Sequence, residues 1–455
     1  MRRGLRLRAL ALALLCLAGV QVTAKAATSQ APRAHVVIAV IENAINVYHH
    51  DFAAPARTQS PATWLNGYPR SSTPLRLHLH EKDFATARHK DDAAWGALKA
   101  NQLYYIPGTR FTGLIWMPSP GDKAGDVSVN YPPPADPPRP VIDGYTYHGT
   151  GSASVAAGTS YGTCPDCDIV VVAADNDEDG LAWAASQPWI DVISNSWGGP
   201  LGVPTQATAG DPSRATATTA SPGSLAAARA GKVVVFASGN GLTDLGPTTH
   251  GTQHSLTWDS PYAGPPWVLT VGAAKATTGQ PTDWHDIPVD VIAQGEDRPA
   301  ADSASLTGTE TFVGTSCAAP VAAGVIAAAL LRARSALGDT KVGVAAGSLL
   351  HGRPVTAGPS AGGLKYSELL DAARAVAAWK PFDPSTVTSD PYQGFATPTT
   401  SAAYAYEGYG LLDRANISAL TRVLLGQAAM PARSEMAQWQ SFASSVRTQK
   451  WGTSP

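Results

Sequence analysis

The sequence predicts an α/β fold with a mostly parallel central sheet, and three observations carry that reading. Val36 to Ile41 is an unbroken apolar run stopped by Glu42-Asn43, and similar runs recur at 169–172, 191–194, 233–237 and 267–271. Short continuous runs of this kind mark strands buried on both faces, because a strand with one wet face alternates instead. Ala/Ser-rich helical patterns lie between them, at 151–157, 181–186 and 224–230. Strand and helix alternating at this spacing build parallel βαβ units. Polar residues then stand just beyond the strands, namely Glu42, Ser196 and Asn240. The carboxyl ends of strands are where such folds gather their chemistry.

The first segment is an address. Arg2, Arg3, Arg6 and Arg8 precede an apolar stretch from Ala9 to Val20, and Ala24-Lys25-Ala26 places small residues where a signal peptidase reads them. Residues 1–26 are therefore expected to be a signal peptide, and the mature protein to be secreted without a membrane anchor. A retained span would need roughly 20 apolar residues, more than this stretch supplies. Cys16 follows Leu14-Leu15, not the small residues of a lipoprotein site. Cleavage removes five basic residues and leaves 28 Lys+Arg against 35 Asp+Glu, a net charge of −7. That sign argues against nucleic acid as a partner.

After the first run, residues 53–140 break the rhythm with Pro132-Pro133-Pro134, Pro137-Pro138 and a charged stretch from His78 to Asp92. They are read as a long insertion carrying one strand, 110–116, and a proline-rich connector. His78, His80, Glu81, Asp83 and His89 are metal-ligand types, but their spacing fits no recognisable site and predicts a solvated helix. Cys164-Pro165-Asp166-Cys167 predicts a tight disulfide in an exported protein. Zinc would require two further ligands that the sequence does not place. Cys317 is the remaining thiol, expected to be buried and inert. Asp175 to Gly180 matches the first half of a helix-loop-helix calcium loop, yet Ser186 stands where the bidentate glutamate belongs. An acidic cap for the helix at 181 is the simpler expectation. Asn416-Ile417-Ser418 is a glycosylation sequon, relevant only in a eukaryotic host.

Three blocks carry chemistry. Ser316 lies in Gly314-Thr315-Ser316-Cys317-Ala318-Ala319-Pro320, and His148 opens His148-Gly149-Thr150-Gly151. A hydroxyl is a poor nucleophile until a base takes its proton, and a neutral imidazole suits that task. Ser238-Gly239-Asn240 at a strand end offers an amide to a developing oxyanion. Singly, each has a bland reading as a cap, a core or a turn residue. Together they resemble the subtilisin-like serine peptidases, the subtilase family. The block at 314–320 is similar to that family's nucleophile motif, with Cys317 where methionine is commonest. His148-Gly149-Thr150 with Ala153 and Ala157-Gly158 looks like its histidine helix, and Asn240 like its oxyanion asparagine. Asn195-Ser196-Trp197-Gly198-Gly199 resembles the strand that pairs with substrate backbone, and Glu407 to Asp413 the closing turn of the domain.

The resemblance implies a three-layer subtilisin-like fold over 27–425, with 426–455 as a C-terminal extension. It implies a polypeptide substrate, with Ser316, His148 and Asn240 in catalytic roles and Ser196, Trp197 and Gly198 along the substrate. Family members often bind structural calcium, though this sequence locates no site and no cofactor is expected. In place of the family's Asp-(Ser/Thr)-Gly stands Glu42-Asn43-Ala44, while Ile45-Asn46 and His50-Asp51-Phe52 keep the frame. Glu42 is then the variant orienting carboxylate, with Asp51 and Asp143 as substitutes. A sedolisin-like arrangement, which also uses a glutamate, replaces the histidine that is intact here. Few residues separate the cleavage site from the first strand, so no removable pro-segment is expected. The expected activity is that of a serine endopeptidase. The alternative is a pseudopeptidase that binds peptides without efficient turnover.

Overall fold

A computed structural model of the chain describes residues 34–42, 44–118, 144–174, 176–197, 220–240, 260–282, 285, 286, 288–338, 364–380, 404, 406–432 and 437–452. The expected signal peptide and the residues Asn43, Asp143, Asp175 and Gly198 lie outside them.

Strand β1 (Val37–Ile41) is buried at every position and pairs in parallel with β5 (Asp168–Ala174) on one side and β6 (Val192–Asn195) on the other. The sheet continues in parallel through β7 (Val233–Ala237), β8 (Val268–Ala274) and β9 (Val291–Gln294). Beyond β5 it runs to β4 (Phe111–Met117), β3 (Leu103–Tyr105) and β2 (Thr73–Pro74). Among the described residues these nine strands form one sheet, and only β3 and β4 pair antiparallel. Each apolar run read from the sequence is a strand of this sheet, because each buries both faces. Fully burying one Val or Ile side chain contributes about 1.5–3 kcal/mol.

The stretch read as an insertion is richer than expected. It holds β2 and β3 as well as β4, with helices α1 (Phe84–Lys90) and α2 (Asp92–Gly96) between them. Strands of two and three residues are too short to leave a period in the sequence. The charged stretch is spent on local order. Asp83 caps α1 through the Thr86 amide at 2.7 Å, and Asp91 accepts from the His78 ring and backbone at 2.6 and 2.8 Å.

Helix α3 (Gly144–Ala157) packs against α6 (Thr315–Leu337), and the contact is built from small residues. A Cβ on Gly324 would lie 2.6 Å from the Ala156 carbonyl oxygen. By length and composition α6 could cross a membrane, but 94% of its apolar window is buried inside the protein, so it is the core helix. Helix α4 (Asp177–Ser186) is capped by Asn176, whose side chain accepts from the Glu178 amide, and opens with three acidic residues that complement its positive end. Helices α5 (Pro222–Arg229), α7 (Tyr366–Val376) and α8 (Ile417–Leu424) complete the cover, and β10 (Arg298–Ala301) and β11 (Thr309–Phe312) form a hairpin.

Two buried ion pairs tie distant segments together. Arg334 of α6 forks onto Asp191 at 2.9 and 2.7 Å, and Asp191 also accepts the Val37 amide. The stretch read as a C-terminal extension contributes in the same way. From α9 (Ala437–Trp451), Arg447 reaches Asp290 at 2.9 Å and the carbonyl oxygens of Gly264 and Pro265 at 2.7 and 2.6 Å. Asn416 of the sequon is buried and donates to the Val376 carbonyl oxygen at 2.7 Å.

Candidate active site

Glu42 is the first residue past β1 and is almost completely buried, and its two oxygens have separate partners. His148 Nδ1 lies 2.9 Å from Oε2, and Ser152 Oγ donates to Oε1 at 2.9 Å. A carboxylate only accepts, so the imidazole carries its hydrogen on Nδ1 and leaves Nε2 as the basic nitrogen. Both partners sit on α3 one helical turn apart, where side chains share a face. The glycines of the histidine motif explain the close approach. A Cβ on Gly149 would fall 2.0 Å from the Ala44 carbonyl oxygen, and one on Gly151 would enter the Phe312 ring at 2.7 Å. Phe312 meets His148 edge-on, with ring centroids 5.7 Å apart.

Burial disfavours the charged imidazole, but the charge of Glu42 and its hydrogen bond outweigh that cost and raise the His148 pKa above 6.5. Asp177, at the start of α4, is pushed up to about 6 by burial and by the nearby charges of Glu42 and Glu178.

Ser316 is the second residue of α6, partly exposed where the rest of the helix start is buried. Pro320 lacks the amide that would have bonded the Ser316 carbonyl within the helix. That carbonyl accepts from Ser196 Oγ at 2.9 Å, while Ser316 Oγ donates to the Ser196 carbonyl oxygen at 2.9 Å. The pair ties the start of α6 to the end of β6. In this state the hydroxyl is turned to a backbone carbonyl, not to His148.

Asn240 follows β7, and its Oδ1 accepts from Thr315 N and Oγ1 at 2.9 and 2.8 Å. Gly314, at φ +99°, is the glycine that lets the chain turn into α6, and a Cβ there would lie 3.4 Å from Asn240 Nδ2 and 3.6 Å from the Ser316 amide. Two donors therefore flank one glycine at the positive end of a 23-residue helix, the geometry that favours a developing anion.

The fold thus gathers Glu42, His148, Ser316, Asn240 and Ser196 in one place. Trp197 packs edge-on against Phe236 and Tyr262 with centroids 5.0 and 5.2 Å apart, and Gly198 is outside the described residues. Asp51 is elsewhere. It is buried at the far end of α3, accepting from Ser154 Oγ at 2.7 Å and the Ser160 amide at 2.6 Å. Cys164 and Cys167 form a disulfide in the loop after α3. Cys317 is a buried free thiol whose pKa burial pushes up to about 12. Among the described residues no group of three or more His, Cys, Asp or Glu side chains is gathered as a metal site. Sequence reasoning missed Ser152, although its place one turn beyond His148 was a readable signal.

The sequence pattern of the subtilase family (Peptidase_S8) matches residues 33–342, more than half of the chain and the span that carries the site. The chain belongs to the subtilase family. As a subtilase it is a subtilisin-like serine peptidase by descent, and its nine-stranded, mostly parallel sheet is the fold expected of that family. Among solved structures, one it resembles is that of the prenylagaramide maturation protease PagA. The two share 16% identity over 86% of this chain and 94% of that chain, with a TM-score of 0.42. No curated protein matches it.

Proposed function

We propose that this subtilase is a secreted serine endopeptidase that cleaves polypeptides through an acyl-enzyme with a Glu42–His148–Ser316 triad. Ser316 Oγ attacks the scissile carbonyl as its proton passes to His148 Nε2. The same proton then goes to the leaving amine, and water enters by the reverse route to release the acyl group. Glu42 holds the imidazole in one tautomer and stabilises its cation. Asn240 Nδ2 and the Ser316 amide receive the oxyanion, and Ser196, Trp197 and Gly198 run beside the substrate backbone. No cofactor enters the scheme. The observation that carries it is the 2.9 Å contact between His148 Nδ1 and a glutamate standing where the family places aspartate. Export rests on the N-terminal signal pattern and fits the disulfide, since such bonds persist in oxidising compartments.

The test is labelling of the purified protein by a serine-directed fluorophosphonate, with Ser316→Ala as the blank. Labelling lost in the variant supports the reading. The second reading, a peptide-binding pseudopeptidase, draws on the Ser316 hydroxyl being engaged by the Ser196 carbonyl oxygen. It predicts peptide binding with no labelling and no hydrolysis.

A further inference from the structure

Replacing aspartate by glutamate at the end of β1 adds a methylene, and with it a further torsion, to the group that must hold His148 still. A carboxylate on a longer arm orients an imidazole only if something fixes its rotation. Ser152 does this. It is fully buried, lies one turn beyond His148 on α3, and donates to the Glu42 oxygen that the imidazole does not use. Helix α3 thus grips both ends of the carboxylate, and the grip is rigid because a helix fixes the spacing of side chains one turn apart.

We infer that Ser152 is the positioning residue that lets glutamate serve in this triad, locking the Glu42 carboxylate toward His148 Nδ1 through its second oxygen. The inference rests on the triad proposed above. Hydrogen bonds to charged groups are among the stronger ones, and their loss frees the acceptor to rotate. It also leaves more negative charge for the imidazolium, so His148 keeps its proton to a higher pH.

Ser152→Ala retains helix propensity and should fold. It is expected to lower kcat about 30-fold with little change in KM, well short of the roughly 10⁴-fold cost of losing the orienting carboxylate. The acid limb of kcat/KM should move up by about half a pH unit. Ser152→Thr, which keeps the hydroxyl, should recover most of the loss. In a Glu42→Gln background the further change Ser152→Ala should cost less than about 3-fold, since contacts in one network are not additive. Other ionisable groups face this region. Asp177 of α4 is raised to about 6 and Glu310 of β11, beside Tyr147, to about 7, each first by burial, while Asp51 sits at the far end of α3. The pH profiles are therefore repeated with Asp177→Asn and with Glu310→Gln, and the shift must persist in both.

Failure of the triad reading is separately visible. If the fluorophosphonate does not label the parent protein, the enzyme reading falls, and the His148 pKa measured by NMR in Ser316→Ala protein still decides the role of Ser152. An imidazole pKa that Ser152→Ala leaves unmoved overturns the inference. So does a loss of kcat on Ser152→Ala that is the same size in the parent enzyme and in the Glu42→Gln variant.

Discussion

A methyl group on Gly149 would lie 2.0 Å from the carbonyl oxygen of Ala44, far inside van der Waals contact, so the histidine helix rests directly on the backbone that follows Glu42. The closeness of two chain segments, more than any single hydrogen bond, brings glutamate and imidazole into reach. Gly149→Ala must push α3 away from β1. It should destabilise the fold by about 1–3 kcal/mol, as overpacking does, and abolish labelling of Ser316. Denaturant unfolding and fluorophosphonate labelling check the two halves, and normal labelling in this variant would mean the contact is soft.

Glu42 contacts both His148 and Ser152 at 2.9 Å, so its length suits the surrounding fold. Glu42→Asp should therefore lower kcat/KM even though it restores the residue type commonest in the family. Glu42→Gln keeps the size but removes the charge that stabilises the imidazolium, and should cost about 10²–10⁴-fold. Hydrolysis of a generic peptide, with Ser316→Ala as blank, measures both.

The His148 pKa is raised above 6.5 because Glu42 outweighs burial. As the base of the proposed triad His148 must be neutral to act, so kcat/KM should climb with pH through an inflection above 6.5. A group raised in the folded state stabilises it below the unfolded value and loses that contribution as pH rises through the folded one. In Ser316→Ala protein, the stability difference between His148 and His148→Gln should accordingly be largest below pH 6.5 and fade at higher pH. Urea midpoints across pH 5–9 would show it.

Cys164 and Cys167 are buried and bonded to each other across a short loop. Mass analysis without reductant should find a two-hydrogen deficit in the peptide that holds them, and reductant should close it only after unfolding. The loop is small, so the chain-entropy gain is modest. Replacing both by serine is expected to cost about 2 kcal/mol.

Arg447 of the C-terminal helix is buried against Asp290, which Arg374 also meets at 3.2 Å. Removing one partner of a buried pair typically costs about 3–5 kcal/mol. With Arg374 remaining to hold Asp290, Arg447→Met should fall at or below the lower end. A change within about 0.5 kcal/mol, the range of an ordinary surface substitution, would show by thermal or urea unfolding that the extension is dispensable to the fold.

The sheet was legible in the sequence because burial on both faces leaves an unmistakable trace. Runs such as Val36 to Ile41 and Val233 to Ala237 need no long-range knowledge to be read as strands of a parallel sheet. Motif chemistry was legible through resemblance, since Gly314-Thr315-Ser316, His148-Gly149-Thr150 and Asn240 are each bland alone and together resemble the motifs of one family. β2 and β3 were not, being too short to show a period. The sequence put Glu42 ahead of Asp51 and Asp143 as the partner of His148, but on the frame of the motif and not on distance. Between Glu42 and Asp51 the difference is distance in space, which depends on where β1 ends relative to α3. The tertiary structure puts Glu42 at His148 and Asp51 at the opposite end of the helix. It alone gives Ser152 a partner 110 residues away along the chain, because a hydroxyl's role is set by which acceptor the packing of two segments brings to it.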